Sequence, residues 1–217
     1  MAVLLLLLAA PFQTGPTYRD LLDAVIDLGS LASAPRPGEA ALQFSSYDRT
    51  SEEGRDPEAW FANDDRGQFL RVERTLDSTE YVMADVGGPG VVTRIWSANP
   101  KGEILFYVDG APKPALRFPF KRLLAGETAP FLKPLCGFQA RGGNCFVPLP
   151  FRKHLKVAVT AADPYYQIDV RRFPAGTAIP SLSPELLERG TPALAALGRR
   201  LEEGLPLPAG AREERTG

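Results

Sequence analysis

Between residues 42 and 173, the hydrophobic positions fall in short runs that are rich in β-branched and aromatic residues. Turn-forming sequences separate the runs: GGPG at 87–90, NPKG at 99–102, DGAPKP at 109–114 and RGGN at 141–144. The pattern predicts strands at Leu42–Ser46, Gln68–Arg74, Glu80–Val86, Val91–Ser97, Glu103–Val108, Ala115–Pro119, Asn144–Pro148, Leu155–Thr160 and Tyr165–Arg172. Because no helical pattern lies between consecutive strands, it favours an all-β sandwich over an α/β sheet.

Helical patterns flank this region on both sides. Apolar residues recur at helical spacing in TYRDLLDAVIDLGSLA (17–32), and Thr17 with Asp20 forms a capping pair at its start. SPELLERG (183–190) and TPALAALGRRLEEG (191–204) each begin with Ser or Thr before Pro, which predicts two helix starts. The polar tail that follows is expected to be disordered.

These patterns divide the chain into a signal peptide at 1–14, an N-terminal helix and linker at 15–41, a β-sandwich at 42–177, and a helical segment with a polar tail at 178–217. The apolar run from Ala2 to Ala10 is shorter than the roughly 20 residues that span a bilayer. It fits a secretory signal peptide, although no Lys or Arg precedes it. We therefore expect a secreted or periplasmic protein with no membrane span, and a buried N-terminal segment is the alternative.

Composition excludes few classes of protein. The 217 residues suffice for one domain with a core, and 44% apolar and 24% charged residues are ordinary values. A net charge of −1 gives no electrostatic reason to expect a nucleic acid or an anionic membrane as partner.

Cys136 and Cys145 would form a disulfide or remain two free thiols. Without a Cys-x-x-Cys pattern or nearby histidines, they make a poor metal site.

The usual catalytic motifs are absent from the sequence, which has one histidine, His154, and no nucleophile elbow or phosphate-binding loop. Instead, a dense polar stretch runs from Ser45 to Gly67 and ends in WFANDDRG at 60–67. Its carboxylates, amide and arginines are suited to sugar hydroxyls, and its aromatic rings to sugar C–H surfaces. Composition alone favours a solvated loop that NDDRG closes. A calcium site at Asp64 and Asp65 is less favoured because no spaced oxygen-ligand motif accompanies them.

The chain resembles a known family in the series SSYDRTSEEG, WFANDDRGQFL, EYVMADVGGPGVVTRIWSANPKG, FYVDGAPKPAL and PLPFRKHLKV. This is the domain of unknown function 2961, associated with family 172 of the glycoside hydrolases, and the resemblance runs from about Leu21 to Thr177. It implies a jelly-roll sandwich that is one half of a double jelly roll, assembled as a trimer or a multiple of trimers. It also implies retaining hydrolysis of α-linked furanosides, such as fructofuranosides or arabinofuranosides, with no metal or other cofactor.

Retaining hydrolysis needs two carboxylates about 5–5.5 Å apart. In the resembling family these glutamates lie beyond the first jelly roll, in sequence that this chain lacks, so the resemblance implies a truncated enzyme whose catalytic residues are unknown here. The glutamates of the C-terminal segment match no family motif: Glu185, Glu188, Glu202 and Glu203. The resemblance implies that the polar stretch contacts substrate, and the candidate residues are Asp48, Arg49, Asn63, Asp65 and Trp96. The alternative is a non-catalytic sandwich that binds carbohydrate or forms a trimer.

Overall fold

A computed structural model describes residues 14–51, 62–74 and 78–204. The apolar run at the N-terminus, the aromatic pair Trp60 and Phe61 and the polar tail lie outside the described residues. The strands are β1 (Ala40–Ser45), β2 (Arg71–Arg74), β3 (Thr79–Gly87), β4 (Gly90–Ser97), β5 (Glu103–Val108), β6 (Leu116–Pro119), β7 (Glu127–Thr128), β8 (Phe131–Leu132), β9 (Cys136–Gln139), β10 (Gly142–Cys145), β11 (Leu149–Phe151), β12 (His154–Val159) and β13 (Tyr166–Arg172).

The strands form two facing antiparallel sheets and one small hairpin. The six-stranded sheet has the order β1-β13-β4-β10-β9, with β11 also paired to β4, and the five-stranded sheet has the order β2-β3-β12-β5-β6. Strands β7 and β8 pair only with each other. The chain crosses repeatedly between the two sheets, and the last strand, β13, lies between the first and the fourth. This is the strand order of a jelly roll, and the predicted all-β jelly-roll sandwich is confirmed.

The hydrophobic core fills the space between the two sheets. Its fully buried side chains include Met83, Ile95, Phe106, Phe151, Val157, Tyr166 and Ile168. Burial alternates along β13, where Ile168 and Val170 are buried while Gln167 and Asp169 are partly exposed. Each sheet therefore has an inner face in the core and an outer face, as the two-residue period of a strand requires.

The turns predicted at GGPG, NPKG and DGAPKP are present. The first two join strands of different sheets, and DGAPKP joins the paired strands β5 and β6. RGGN is different, because Gly142 to Asn144 belong to β10 and the turn lies at Ala140 and Arg141. Strand β10 therefore begins two residues before the predicted strand and ends at Cys145. The short strands β7, β8, β9 and β11 and the helix α2 (Phe120–Leu124) were not predicted, since segments this short carry little periodicity.

The helical segments depart from their predicted boundaries. Helix α1 (Tyr18–Asp23) has the predicted Thr17–Asp20 capping box but is much shorter than predicted, because Asp27 caps a separate 3-10 turn at Leu28–Ala32. The two predicted C-terminal helices are one helix, α3 (Pro184–Glu203), which begins at the predicted cap, Ser183.

Tertiary packing explains why α3 continues through Pro192. The Thr191 hydroxyl donates to the Leu187 carbonyl at 3.0 Å. The Tyr18 ring of α1 lies against Gly190, and Pro134 lies against Gly198 on the other side of the proline. These contacts on both sides of Pro192 hold the two halves of α3 along one axis. Among the described residues, no helix is long and apolar enough to cross a membrane.

Cys136 and Cys145 lie directly opposite each other on β9 and β10. Both are buried and both are free thiols, which is the alternative that the sequence left open beside a disulfide. The contact between the two thiols, together with their burial, raises the pKa of Cys136, so it stays protonated at physiological pH.

Candidate functional site

Asp48 joins the two halves of the polar stretch. It is 5% exposed, and its carboxylate accepts hydrogen bonds from the Thr50 hydroxyl at 2.7 Å, the Thr50 N–H at 2.9 Å and the Asp64 N–H at 2.9 Å. In return the Asp48 N–H donates to Asp65 Oδ1 at 2.7 Å. The donors from Thr50 and Asp64 stabilise the carboxylate and lower the pKa of Asp48. Asp48 and Asp65 therefore brace the loop.

A second set of bonds ties this loop to the connections between the two sheets. Asp163, between β12 and β13, accepts from Lys101 at 2.8 Å and from Arg66 at 2.7 Å. These two cations lower the pKa of Asp163. Asn99, between β4 and β5, donates to the Asp163 carbonyl and accepts from the Tyr165 N–H. We call residues 46–51, 62–68, 99–101 and 160–165 the loop cluster.

Gly67 explains the end of the WFANDDRG stretch. Its φ is +70°, and a Cβ at this position would lie 2.7 Å from the Ala162 carbonyl oxygen. Only glycine combines the left-handed conformation with this close backbone contact. NDDRG is thus a closing turn, as one of the two interpretations predicted, and the turn is docked against the strand connection at 160–165.

Arg49 points away from the braced carboxylates towards the six-stranded sheet. Its guanidinium donates to the carbonyls of Tyr47 at 2.9 Å and Ser45 at 3.2 Å, and it lies 4.7 Å from the centre of the Tyr47 ring. Tyr47 is 55% exposed and is stacked on this cation. The arginine thereby fixes the orientation of an exposed aromatic ring.

Trp96 lies on the outer face of the six-stranded sheet, in a row of polar side chains. The strand register places Ser45 opposite Gln167, Gln167 opposite Trp96, and Trp96 opposite Asn144. Since neighbouring strands are about 4.8 Å apart, the row extends about 14 Å across four strands. An indole flanked by two amides provides one stacking surface and several hydrogen-bonding groups.

Gly142 allows the Trp96 ring to lie across β10. A Cβ at residue 142 would be 2.1 Å from the indole Nε1, so the edge of the indole occupies the space that a side chain would take. Gly137, on the neighbouring strand β9, has nothing within 4 Å of its own Cβ position. The half-buried Trp96 ring therefore packs directly over Gly142, and the surface beside the ring is open.

The next row of the same face centres on Arg94. Its guanidinium donates to Asn144 Oδ1 at 3.1 Å and to Gln167 Oε1 at 3.0 Å, and it lies 3.4 Å from Asp169 Oδ2. Asp169 also accepts from Gln43 at 2.8 Å. This network holds the amides on both sides of Trp96 in fixed orientations. We call the outer face of β1, β13, β4 and β10, with its rows around Trp96 and Arg94, the Trp96 platform.

The chain matches the family described as the GH172 first beta-sandwich domain over residues 37–190, more than two thirds of its 217 residues. The chain belongs to this family. No curated protein matches the chain. The protein therefore contains a glycoside-hydrolase-related β-sandwich, and carbohydrate is the ligand class that the family suggests.

In this GH172 sandwich the five candidate residues separate into two groups. Asp48 and Asp65 brace the loop cluster, and Asn63 is exposed in the same cluster. Arg49 also lies in the loop cluster, where it donates to the Ser45 and Tyr47 carbonyls, whereas Trp96 lies on the outer face of the six-stranded sheet. Sequence reasoning missed the neighbours of Trp96: Gln43, Arg94, Asn144, Gln167 and Asp169. Their alternation along each strand was visible, but the register that aligns three distant strands was not.

No group of three or more His, Cys, Asp or Glu side chains is placed to hold a metal within the described ranges. The Asp64 and Asp65 pair of the calcium hypothesis is engaged in the loop cluster through the Asp64 N–H and the Asp65 carboxylate. His154 is far from this region in the fold and bonds Asp85 through Nε2 at 2.5 Å on the five-stranded sheet.

Proposed function

We propose that this sandwich is the substrate-contacting N-terminal part of a secreted retaining glycoside hydrolase that acts on α-linked furanosides. The family membership over residues 37–190 is the observation that carries the proposal. The Trp96 platform supports it, because an indole surface and oriented amides are what sugar rings require of a protein. The catalytic glutamates are contributed by sequence outside this sandwich, and the enzyme assembles as a trimer or a multiple of trimers.

The carboxylates near the loop cluster do not suit the catalytic pair. A retaining enzyme needs a general acid whose pKa is raised so that it is protonated before the reaction. Asp48 has the opposite property, because its hydrogen bonds from Thr50 and Asp64 lower its pKa. Asp65 is occupied by the Asp48 N–H. Their proposed role is to hold Arg49 and Asn63 at the edge of the substrate site.

The function is tested by reading the gene beyond the Gly217 codon and assaying the encoded protein on aryl α-arabinofuranosides and α-fructofuranosides. We expect a second sandwich in frame with a pair of glutamates, and turnover that a Glu→Gln change in either glutamate abolishes. Proton NMR of the first-formed product would show the retained anomer. A protein that encodes such a pair and yet hydrolyses none of these furanosides would overturn the proposal.

A second candidate is a carbohydrate-binding module without catalysis. It is favoured by the platform itself, which offers stacking and hydrogen bonding with its carboxylate, Asp169, engaged by Arg94 and Gln43. This candidate predicts saturable glycan binding by the 217-residue chain with no turnover in any longer form. Light scattering separates a monomeric binder from a trimer-forming module.

A further inference from the structure

An open space on the outer face of the six-stranded sheet lies beside the Trp96 platform. It is a cavity of about 860 Å³ between the linker that follows the 3-10 turn and the sheet. Ser33 and Pro35 form one wall, and Gln43, Thr93 and Asp169 form part of the floor. A volume of this size is within the range of small-molecule and oligosaccharide sites.

The cavity and the platform share a floor. Gln43 and Asp169 line the cavity, and the same two side chains are bonded to each other and through Asp169 to Arg94. Two residues further along β13, Gln167 stands beside Trp96. From Arg171 in the cavity to Tyr165 at the loop cluster, the strand covers about 20 Å, which is longer than a single sugar ring.

We propose that this continuous surface is a cleft that binds an extended, neutral oligosaccharide along β13. Sugar rings stack on Trp96 and on the exposed rings of Tyr47 and Tyr165, while Gln43, Asn144 and Gln167 bind hydroxyl groups. The inference rests on the proposed function for its ligand class, and it adds that the ligand is a chain of several units.

The aromatic end of the cleft follows from the strand alternation. Ser46 and Tyr166 continue the ladder beyond β1, since the Ser46 N–H donates to the Tyr166 carbonyl at 3.1 Å. Tyr47 and Tyr165 are the next pair, on the same outer face as Ser45 and Gln167. They are 55% and 37% exposed. This end of the cleft therefore offers three aromatic rings for stacking, the two exposed tyrosines and the half-buried Trp96.

The charges of the face disfavour other ligands. Arg94 is neutralised by Asp169, and Arg171 is paired with Glu39 at 3.0 Å. These cations are therefore committed, which is unlike the exposed basic stripe that binds a phosphate backbone. The floor consists mainly of the central strands β13 and β4, whose backbone groups are already paired on both sides. An extended peptide that needs a free strand edge has little to bond there.

The test is binding of arabino- and fructo-oligosaccharides of increasing length to the 217-residue chain. The direct readout is the indole N–H signal of Trp96 in a ¹⁵N-correlated NMR spectrum, which contains two indole signals because the chain has two tryptophans. Trp96→Phe assigns the signal. We expect a saturable shift of the Trp96 signal and an affinity that rises with chain length over several units.

Variants locate the site. Trp96→Ala and Gln43→Ala should each weaken binding, the former by roughly tenfold because a stacking surface is lost. Val72→Ala is the matched control, since Val72 is an exposed apolar residue, 45% exposed, on the edge of the other sheet. Thermal unfolding of each variant verifies the fold. Equal weakening by Val72→Ala, or no effect of either cleft variant, contradicts the cleft.

The outcomes separate this inference from the proposed function. Turnover of furanosides by the longer enzyme, with no effect of chain length and no movement of the Trp96 signal, overturns the cleft and leaves the furanosidase standing. Length-dependent binding that moves Trp96, in a protein that hydrolyses no furanoside, supports the cleft and overturns the furanosidase. Absence of any binding by oligosaccharides of all lengths overturns the cleft.

Discussion

The two outer faces of this sandwich use polar side chains in different ways. On the five-stranded sheet, His154 is hydrogen-bonded to Asp85, and ion pairs run from Asp85 through Arg71 and Glu73 to Lys156, which also approaches Glu80. On the six-stranded sheet, amides and an indole surround Arg94 and Asp169. The first face consists of charges that satisfy one another, whereas the second presents amides and aromatic rings at its surface. We infer that polarity alone does not mark a binding face, and that amides oriented beside an aromatic ring do.

Three apolar residues show why the ion-pair face is closed. Val82, Leu105 and Ala158 are at most 2% exposed although they lie outside the main core. Tyr107 packs against them, and the Lys156 ammonium lies 3.8 Å from the centre of the Tyr107 ring. The Tyr107 hydroxyl in turn donates to Glu80 at 2.6 Å. The charged layer therefore covers an apolar layer, and its role is structural.

The largest expected effect is on the stability of that closed face. In Lys156→Met the stem still packs on Tyr107 and Glu73 keeps its pair with Arg71, but the 7% exposed Glu80 loses its cation. We expect a loss of about 3 kcal/mol in the free energy of unfolding, measured in urea, because a mostly buried charge is left unpaired. Glycan binding should be unchanged.

Lys101→Met is the matched control for this variant. Lys101 pairs with Asp163 but is 58% exposed, against 16% for Lys156. A surface pair of this kind contributes about 0–1 kcal/mol. Similar losses in the two variants would contradict the distinction between a closed ion-pair face and a solvated loop cluster.

A second prediction concerns the turn that docks the polar stretch against the strand connections. Gly67→Ala combines a left-handed φ with a clash against the Ala162 carbonyl, and we expect it to lower the free energy of unfolding by about 2–3 kcal/mol. Gly110→Ala is the control, because its φ of +83° is similar but nothing lies within 4 Å of its Cβ. That variant should lose only about 1 kcal/mol.

A third prediction concerns Gly142, over which the Trp96 indole packs. Gly142→Ala should push the Trp96 ring from its position, weaken oligosaccharide binding several-fold and cost about 1–2 kcal/mol of stability. Gly137→Ala adds the same methyl group on the adjacent strand of the same hairpin, in open space. If both variants bind and unfold like the unmodified protein, the ring is not held by Gly142.

The smallest effect is the acid sensitivity of the loop cluster. Lys101 and Arg66 hold the pKa of Asp163 below its usual range. Its ion pairs therefore add stability above the unfolded-state pKa of about 3.9, and that stability is lost as the pH falls through the lower folded-state value. Asp163→Asn should be less stable than the unmodified protein at pH 7, and the two melting temperatures should converge below pH 4. A constant difference across this range would exclude the ion pairs as its source.

Parts of this fold follow from local sequence, and others do not. The runs of β-branched residues and the turns GGPG, NPKG and DGAPKP predicted most of the long strands. RGGN did not behave as a turn, because the two glycines serve other needs: Gly142 accommodates Trp96, and Gly143 lies against Leu124. The sequence does not distinguish a glycine that avoids a steric clash with a distant residue from a glycine that permits a turn.

The candidate site shows the same limit of local sequence. The polar stretch was recognised, but whether Asp48 binds a ligand or braces a loop depends on where residues 62–65 lie, and nothing local specifies that. The carboxylate accepts the Asp64 N–H across a separation of 16 residues. The C-terminal helix also depends on distant residues. By itself the sequence at Pro192 predicts a helix start, but contacts of Tyr18 and Pro134 with the two halves of α3 keep the helix continuous.

The sequence by itself determined the β-sandwich class, the strand periodicity and the side chains that share a face of each strand, because the two-residue period depends only on local backbone geometry. Only the tertiary structure decided which residues of neighbouring strands lie side by side. Trp96 reaches Gln167 and Asn144 through pairings across 71 and 48 positions of the chain, and those registers result from burying the core of both sheets together. The Trp96 platform is a property of that register, since one residue of slip would turn its side chains into the core.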